Sequence, residues 1–192
     1  ARGLGAACGC VRRGGLWRGG TDQEGEAACQ AEGGETLGVR APRMEDVQGL
    51  PLTGRIFAEG LRMYPPLWAI GRRALQDCEI GGYPIPRGSV VLLSSYVTQR
   101  DPRWFPEPTK FDPERWTTEN RATRPKFSYF PFSAGSRACL GEAFASMEGV
   151  LCLAVLAQKW RLEIVPQHRI ALQPQLTVRA RNGIKMRLAG RT

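Results

Sequence analysis

The chain has 192 residues, 42% of them hydrophobic, with 27 basic and 18 acidic side chains and a formal charge of +9. That is long enough for one domain with a real core. The one histidine, His168, excludes a histidine-rich zinc site, no apolar run approaches a membrane span, and the scattered basic residues form no nucleic-acid-binding run.

Residues 1–38 stand apart. They hold 11 of the 23 glycines, none of the 14 prolines and no sustained apolar period. The stretch reads as an aberrant or disordered segment, with an out-of-frame translation of GC-rich coding DNA as the sharper expectation. Residues 39–192 then form the organised part. Cys8, Cys10 and Cys29 raise a cysteine-based metal or redox module, but their spacing is poor for zinc.

Organisation begins near Ala41. Glu45 to Pro51 reads as a short helical or turn segment stopped by proline. Leu52 to Tyr64 carries Ile56, Phe57, Leu61 and Tyr64 close to helical spacing, and Tyr64-Pro65-Pro66 ends it. Glu59 and Arg62 share one face of that helix. Taken alone, the pair reads as a solvated ion pair. Arg72 and Arg73 come next; one of two adjacent arginines can reach an anionic ligand.

Strands are expected over Ala74–Ile80, Tyr83–Ile85 and Ser89–Tyr96, joined at Gly81-Gly82 and Pro86-Arg87-Gly88. Val90-Val91-Leu92-Leu93 reads as their buried piece. Gln99 to Trp116 is too rich in proline for a long helix or a central strand. Its aromatics, Trp104, Phe105, Phe111 and Trp116, predict an ordered meander packed on a core. A polar surface loop to Lys126 follows.

Glu142 to Trp160 has Phe144, Met147, Leu151, Ala154 and Val155 at helical spacing and no proline. Trp160–Val165 reads as a strand. Leu176–Arg181 and Ile184–Leu188 read as a hairpin around Asn182-Gly183. His168 is expected to be exposed and without a ligand role.

The chemistry gathers at Phe132-Ser133-Ala134-Gly135-Ser136-Arg137-Ala138-Cys139-Leu140-Gly141. A helix starting after Cys139 puts free backbone N–H groups and a positive dipole end near its sulfur, and both favour a thiolate. Gly135 and Gly141 let the backbone approach a flat ligand. Arg137 can meet a carboxylate at that ligand's edge, and Phe132 can shield the sulfur. Such a sulfur suits an axial ligand of haem iron. Cys152, by contrast, reads as a small buried hydrophobe.

The pattern Phe132-x-x-Gly135-x-Arg137-x-Cys139-x-Gly141 resembles the haem-binding signature of the cytochrome P450 family, the haem-thiolate monooxygenases. Glu59-x-x-Arg62 resembles the family's helix pair. Pro113-Glu114-Arg115-Trp116 resembles the motif whose arginine completes a triad with it. The likeness runs from about Arg40 to the C-terminus. It implies the C-terminal portion of that fold, an α+β and mainly helical arrangement. It implies haem b (iron protoporphyrin IX) with Cys139 as iron ligand and Arg137 on a propionate. Arg72, rather than Arg73, would meet the second propionate. Phe132 would modulate the thiolate, while Gly135 and Gly141 let the chain approach the porphyrin. Glu59, Arg62 and Arg115 would lock the meander, and Leu67 to Ile70 would line a substrate site.

The family's activity is reductive activation of dioxygen and hydroxylation of a C–H bond in a hydrophobic small molecule. A ferredoxin, flavodoxin or flavin reductase would supply electrons, docking on the basic cysteine side. The distal helix with its Ala-Gly-x-Asp/Glu-Thr pattern is not found, so no catalytic side chain is assigned. The isolated chain is therefore expected to bind haem poorly and turn nothing over. The alternative is a truncated, inactive haem-binding fragment. Membrane attachment is left open, with the cytoplasm expected for a bacterial member.

Overall fold

The computed structural model describes residues 22–190. Cys8 and Cys10 lie outside them. Helix α1 spans Asp22–Leu37, α2 Pro51–Met63, α3 Ser95–Thr98, α4 Thr118–Ala122 and α5 Glu142–Lys159. Short 3-10 turns cover Met44–Gly49, Pro113–Trp116 and Gly135–Arg137.

The core lies where α1, α2 and α5 meet. Leu37, Leu50, Phe57, Leu61, Val150, Leu153 and Ala154 form one buried cluster, with Phe132 and Tyr129 packed against it. The approach of α2 to α5 is close. A Cβ added at Gly149 would stand 2.2 Å from the Phe57 ring, so only glycine fits there. The expected short helical segment is the 3-10 turn ending at Gly49, and Pro51 also opens α2, because the first helical position needs no intrahelical N–H donor.

Residues 22–37, read from sequence as patternless, are helical. Their polar contacts are specific and follow no apolar period, so no periodicity announces them. Leu37 and Cys29 are buried, and Cys29 Sγ lies 3.3 Å from Thr53 Oγ1. The Glu32 carboxylate accepts from Leu52 N at 2.5 Å, Thr53 N at 2.8 Å and Thr53 Oγ1 at 2.6 Å. It thus satisfies free N–H groups at the positive end of α2.

The strands form four separate antiparallel ribbons. Strand β1 (Ile70–Arg73) pairs with β4 (Val90–Leu93), with Arg72 opposite Val91. Strand β2 (Cys78–Ile80) pairs with β3 (Tyr83–Ile85) around Gly81-Gly82. The expected buried run is largely exposed, with Val90 at 66% and Leu92 at 70% of full accessibility. A two-stranded ribbon covers neither of its own faces. The expected long strand to Tyr96 instead turns into α3, where the Ser94 hydroxyl accepts from Val97 N.

The expected C-terminal hairpin is also corrected. Strand β5 (Trp160–Ile164) pairs with β8 (Met186–Gly190), and β6 (Leu172–Pro174) pairs with β7 (Val178–Ala180). The Asn182-Gly183 turn does form, with Gly183 at φ +67°. The strands on its two sides go to different partners, which turn chemistry alone does not specify. His168 is half-buried, its Nε2 3.3 Å from Gly183 O.

Candidate functional site

Beneath the Cys139 loop lies a closed polar hub. Glu59 and Arg62 are fully buried and joined by two hydrogen bonds of 2.8 Å, from Arg62 Nε and Nη2. Arg62 Nη1 also donates to Gln99 O and Pro108 O, both at 2.9 Å, and Nη2 donates to Lys110 O at 3.2 Å. All five guanidinium donors are thereby engaged. Three of them end on meander carbonyls. An exposed ion pair is worth little; this one is buried and paired, and breaking it would leave an uncompensated charge.

Glu59 is equally saturated. Besides Arg62 it accepts from Asp112 N at 2.9 Å and from the Trp116 indole N–H at 2.9 Å. A carboxylate offers about four lone-pair sites, so the set is full. Arg115 comes near but last. Its Nε lies 3.6 Å from Glu59 Oε1, beyond hydrogen-bond distance, and has no other partner, while Nη2 donates to Glu107 O. Arg115 therefore contributes charge, and the place beside the carboxylate is held by Trp116, which the sequence reading named only as a packed aromatic of the meander.

Aromatic packing carries the hub towards the loop. Trp116 packs against Tyr129 with ring centroids 4.3 Å apart and planes tilted by 55°, and the Tyr129 hydroxyl donates to Ala58 O on α2 at 3.2 Å. Burial, with Glu59 adding to it, pushes the Tyr129 hydroxyl well above its ordinary pKa, so it remains a donor. Arg124 lies over Trp116 at 4.5 Å and over Phe105 at 5.1 Å. Burial lowers its pKa, and Glu59 opposes that shift.

The Cys139 loop is short and backbone-closed. Cys139 N donates to Phe132 O at 2.9 Å, and Ala138 N to Gly135 O at 3.1 Å. Ser133 and Gly135 both have left-handed backbone, at φ +66° and +69°. Glycine meets that demand freely; serine does so at a cost. Helix α5 starts at Glu142, with Gly141 as its cap, three residues past the sulfur. Phe132 packs inward on the core. Cys139 itself is exposed, as are Leu140 and Phe144.

Arg137 and Arg72 are both exposed. The Arg72 Nη2 donates to Ser133 Oγ at 3.4 Å, which brings that side chain to the loop. Arg73, its neighbour on the strand, reaches towards Gly88 instead. Successive strand residues face opposite ways, so only one of the pair serves this side. Trp68, after the Pro65-Pro66 break, donates to Gln175 O at 2.8 Å, and Val178 N donates to Pro66 O at 2.9 Å. The segment over 67–70 thus sits beside the β6–β7 ribbon.

The residues fit a haem. Among the described residues no group of three or more histidines, cysteines or carboxylates could hold a metal ion. Cys139 offers one soft, accessible sulfur, which suits a metal whose other ligands come from a macrocycle. Space is open at Gly135, where an added Cβ would meet nothing within 4 Å. Arg72, which meets Ser133 of the loop, and Arg137, within it, are exposed cations that would suit carboxylates. Cys29, from the rival cysteine module, is buried against Thr53. No helix of the described residues is long and apolar enough to cross a membrane.

Comparisons with known proteins agree with this arrangement. The profile of the family named Cytochrome P450 matches residues 20–187. "Cyclooctatin synthase" of Streptomyces melanosporofaciens is 44% identical over 155 residues, covering 81% of this chain and 34% of that protein. "Cytochrome P450 4V2" of Mus musculus is 36% identical over 175 residues, covering 90% of this chain and 33% of that protein. The crystal structure of the cytochrome P450DA haem domain superposes with a TM-score of 0.87 at 31% identity, covering 99% of this chain and 41% of that one. The chain spans about a third of the length of the curated relatives it matches. Its α+β arrangement is a portion of the cytochrome P450 fold, and the chain belongs to the cytochrome P450 family.

Proposed function

We propose that this chain forms the proximal, sulfur-bearing side of a haem-thiolate monooxygenase acting on a hydrophobic organic substrate. The observation that carries the reading is an accessible Cys139 on a closed loop, anchored over a fully satisfied hub of Glu59, Arg62 and Trp116. Cys139 would ligate the iron of haem b. Arg137 and Arg72 would bind its propionates. When bound through a thiolate, haem supplies reductive activation of dioxygen.

The rest is done by this chain's own residues. Phe132, packed on the core, holds the Cys139 N–H at its carbonyl and would modulate the thiolate. Gly135 leaves room for the ring, and Gly141 lets the start of α5 pass close to Cys139. Glu59 and Arg62, with Arg115 as an outer charge, hold the meander that supports the loop. The segment over 67–70 lines the substrate side. A protein electron donor would dock against the basic side.

One relative is named as a monooxygenase, "Cyclooctat-9-en-7-ol 5-monooxygenase", which supports the reaction class. The distal half of the site would come from the two thirds of the relatives that lie outside the match.

A chimera tests the proposal. The N-terminal two thirds of the Streptomyces relative, joined to residues 22–190, is expected to incorporate haem and give the reduced-CO absorption of thiolate ligation. A chimera that folds, binds haem and keeps that absorption after Cys139→Ser would overturn it.

A further inference from the structure

We infer that Gln99 is a positioning residue for the Cys139 loop, joining it to the C-terminal end of α2 through one buried amide. The need for it begins with two prolines. A helix leaves its last carbonyls without intrahelical donors. After Met63 the chain runs Tyr64-Pro65-Pro66, and only Tyr64 can return an N–H, to Gly60 O at 2.9 Å. Leu61, Arg62 and Met63 still present carbonyls inside the protein.

Two consecutive side chains fill them. Gln99 Nε2 donates to Leu61 O at 3.1 Å and to Arg62 O at 3.0 Å. Arg100 Nη2 donates to Met63 O. Gln99 is fully buried, and its backbone carbonyl accepts from Arg62 Nη1 at 2.9 Å. Its remaining group, Oε1, accepts from Phe130 N at 3.0 Å. Phe130 lies two residues before Phe132, whose carbonyl accepts from Cys139 N at 2.9 Å.

A continuous path of polar contacts therefore runs from the ion pair to the cysteine. It passes from Arg62 to Gln99, then to Phe130, then by two peptide units to Phe132 and across to Cys139. An apolar residue at 99 would leave two carbonyls and the Phe130 N–H unpaired in the interior. Each buried unpaired group is costly, and here the loop can relieve its share by moving. The consequence at haem rests on the reading of Cys139 given above; the mechanical link does not.

The test is native-state hydrogen exchange on the 192-residue chain without haem. In Gln99→Met, the Phe130 amide should exchange at least roughly tenfold faster, while the Val150–Ala154 amides of α5 keep their protection. Uniform acceleration of both, or no change at Phe130, would overturn the inference. If Gln99→Met does not fold, the wild-type chain decides. Its Phe130 and Tyr64 amides should open as one unit, and independent, faster opening of Phe130 would overturn the link. In haem-loaded chain, Gln99→Met should lower the fraction showing the thiolate-type spectrum. Failure of that arm alone counts against the reading of Cys139, and failure of the exchange arm counts against Gln99.

Discussion

The hub and the cysteine loop lie close along the chain's packing but differ in kind. Every donor and acceptor of the Glu59 and Arg62 side chains has a partner, and both residues are fully buried; the Arg115 Nε beside them has none. Around Cys139 the sulfur, Leu140, Phe144 and Arg137 face outward. Buried polar groups must be satisfied within the fold, so the hub is complete by itself. The loop has its backbone closed, and its exposed side chains are the ones proposed to meet haem. The contrast separates two duties. On the proposed function, the hub supplies rigidity and the loop supplies chemistry.

Breaking the hub gives the largest expected effect. Arg62→Ala strands the Glu59 carboxylate and releases three meander carbonyls, and should cost about 3–5 kcal/mol. Urea unfolding should show a destabilised or unfolded chain; a midpoint near wild type would mean the pair is less enclosed than it is here. Trp116→Phe sharpens the same point with a smaller change. It removes one hydrogen bond to a charged group at nearly constant ring packing, and should cost about 1.5–3 kcal/mol. Arg115→Ala should cost less than Trp116→Phe by the same measurement, because Arg115 makes no hydrogen bond to Glu59.

The edge of the hub's support comes next. Glu32→Ala removes the cap on α2 and should cost about 1 kcal/mol, with thermal unfolding as the measure. No loss would detach α1 from the unit it packs on. The smallest effect belongs to the surface. Hydrogen bonds from Arg40 and from Arg43 N hold Asp46 at a pKa of about 2, below its ordinary 3.8. A depressed carboxylate pKa adds stability above the ordinary value, lost as pH falls from about 4 towards 2. Asp46→Asn should remove that small acid-side slope and leave neutral-pH unfolding almost unchanged.

Much of this was legible in the sequence where one cause dominates. Helices α2 and α5 follow from apolar spacing and from proline and glycine punctuation. The loop from Phe132 to Gly141 was legible because its residue types serve one chemistry. What escaped depends on partners distant in sequence. Nothing local tells that Gln99 meets the end of α2, or that Trp116 outranks Arg115 beside Glu59. Helix α1 escaped because its contacts, among them the Glu32 carboxylate, the Thr36 hydroxyl and the buried Cys29 and Leu37, follow no stripe. Strand β1 escaped because Gly71, Arg72 and Arg73 carry no alternating pattern. The buried reading of Val90–Leu93 failed because apolar composition does not say whether a covering layer is present.

The separation of duties is tested most directly by titrating the chain with haem, with and without Cys139→Ser, and following the absorption of the reduced CO complex. Wild type should bind weakly and show the thiolate-type band. Cys139→Ser should lose that band while unfolding within about 0.5 kcal/mol of wild type, since an exposed residue supports little of the fold. A thiolate-type band that survives Cys139→Ser would contradict the assignment of the sulfur, and a large loss of stability would contradict the separation itself.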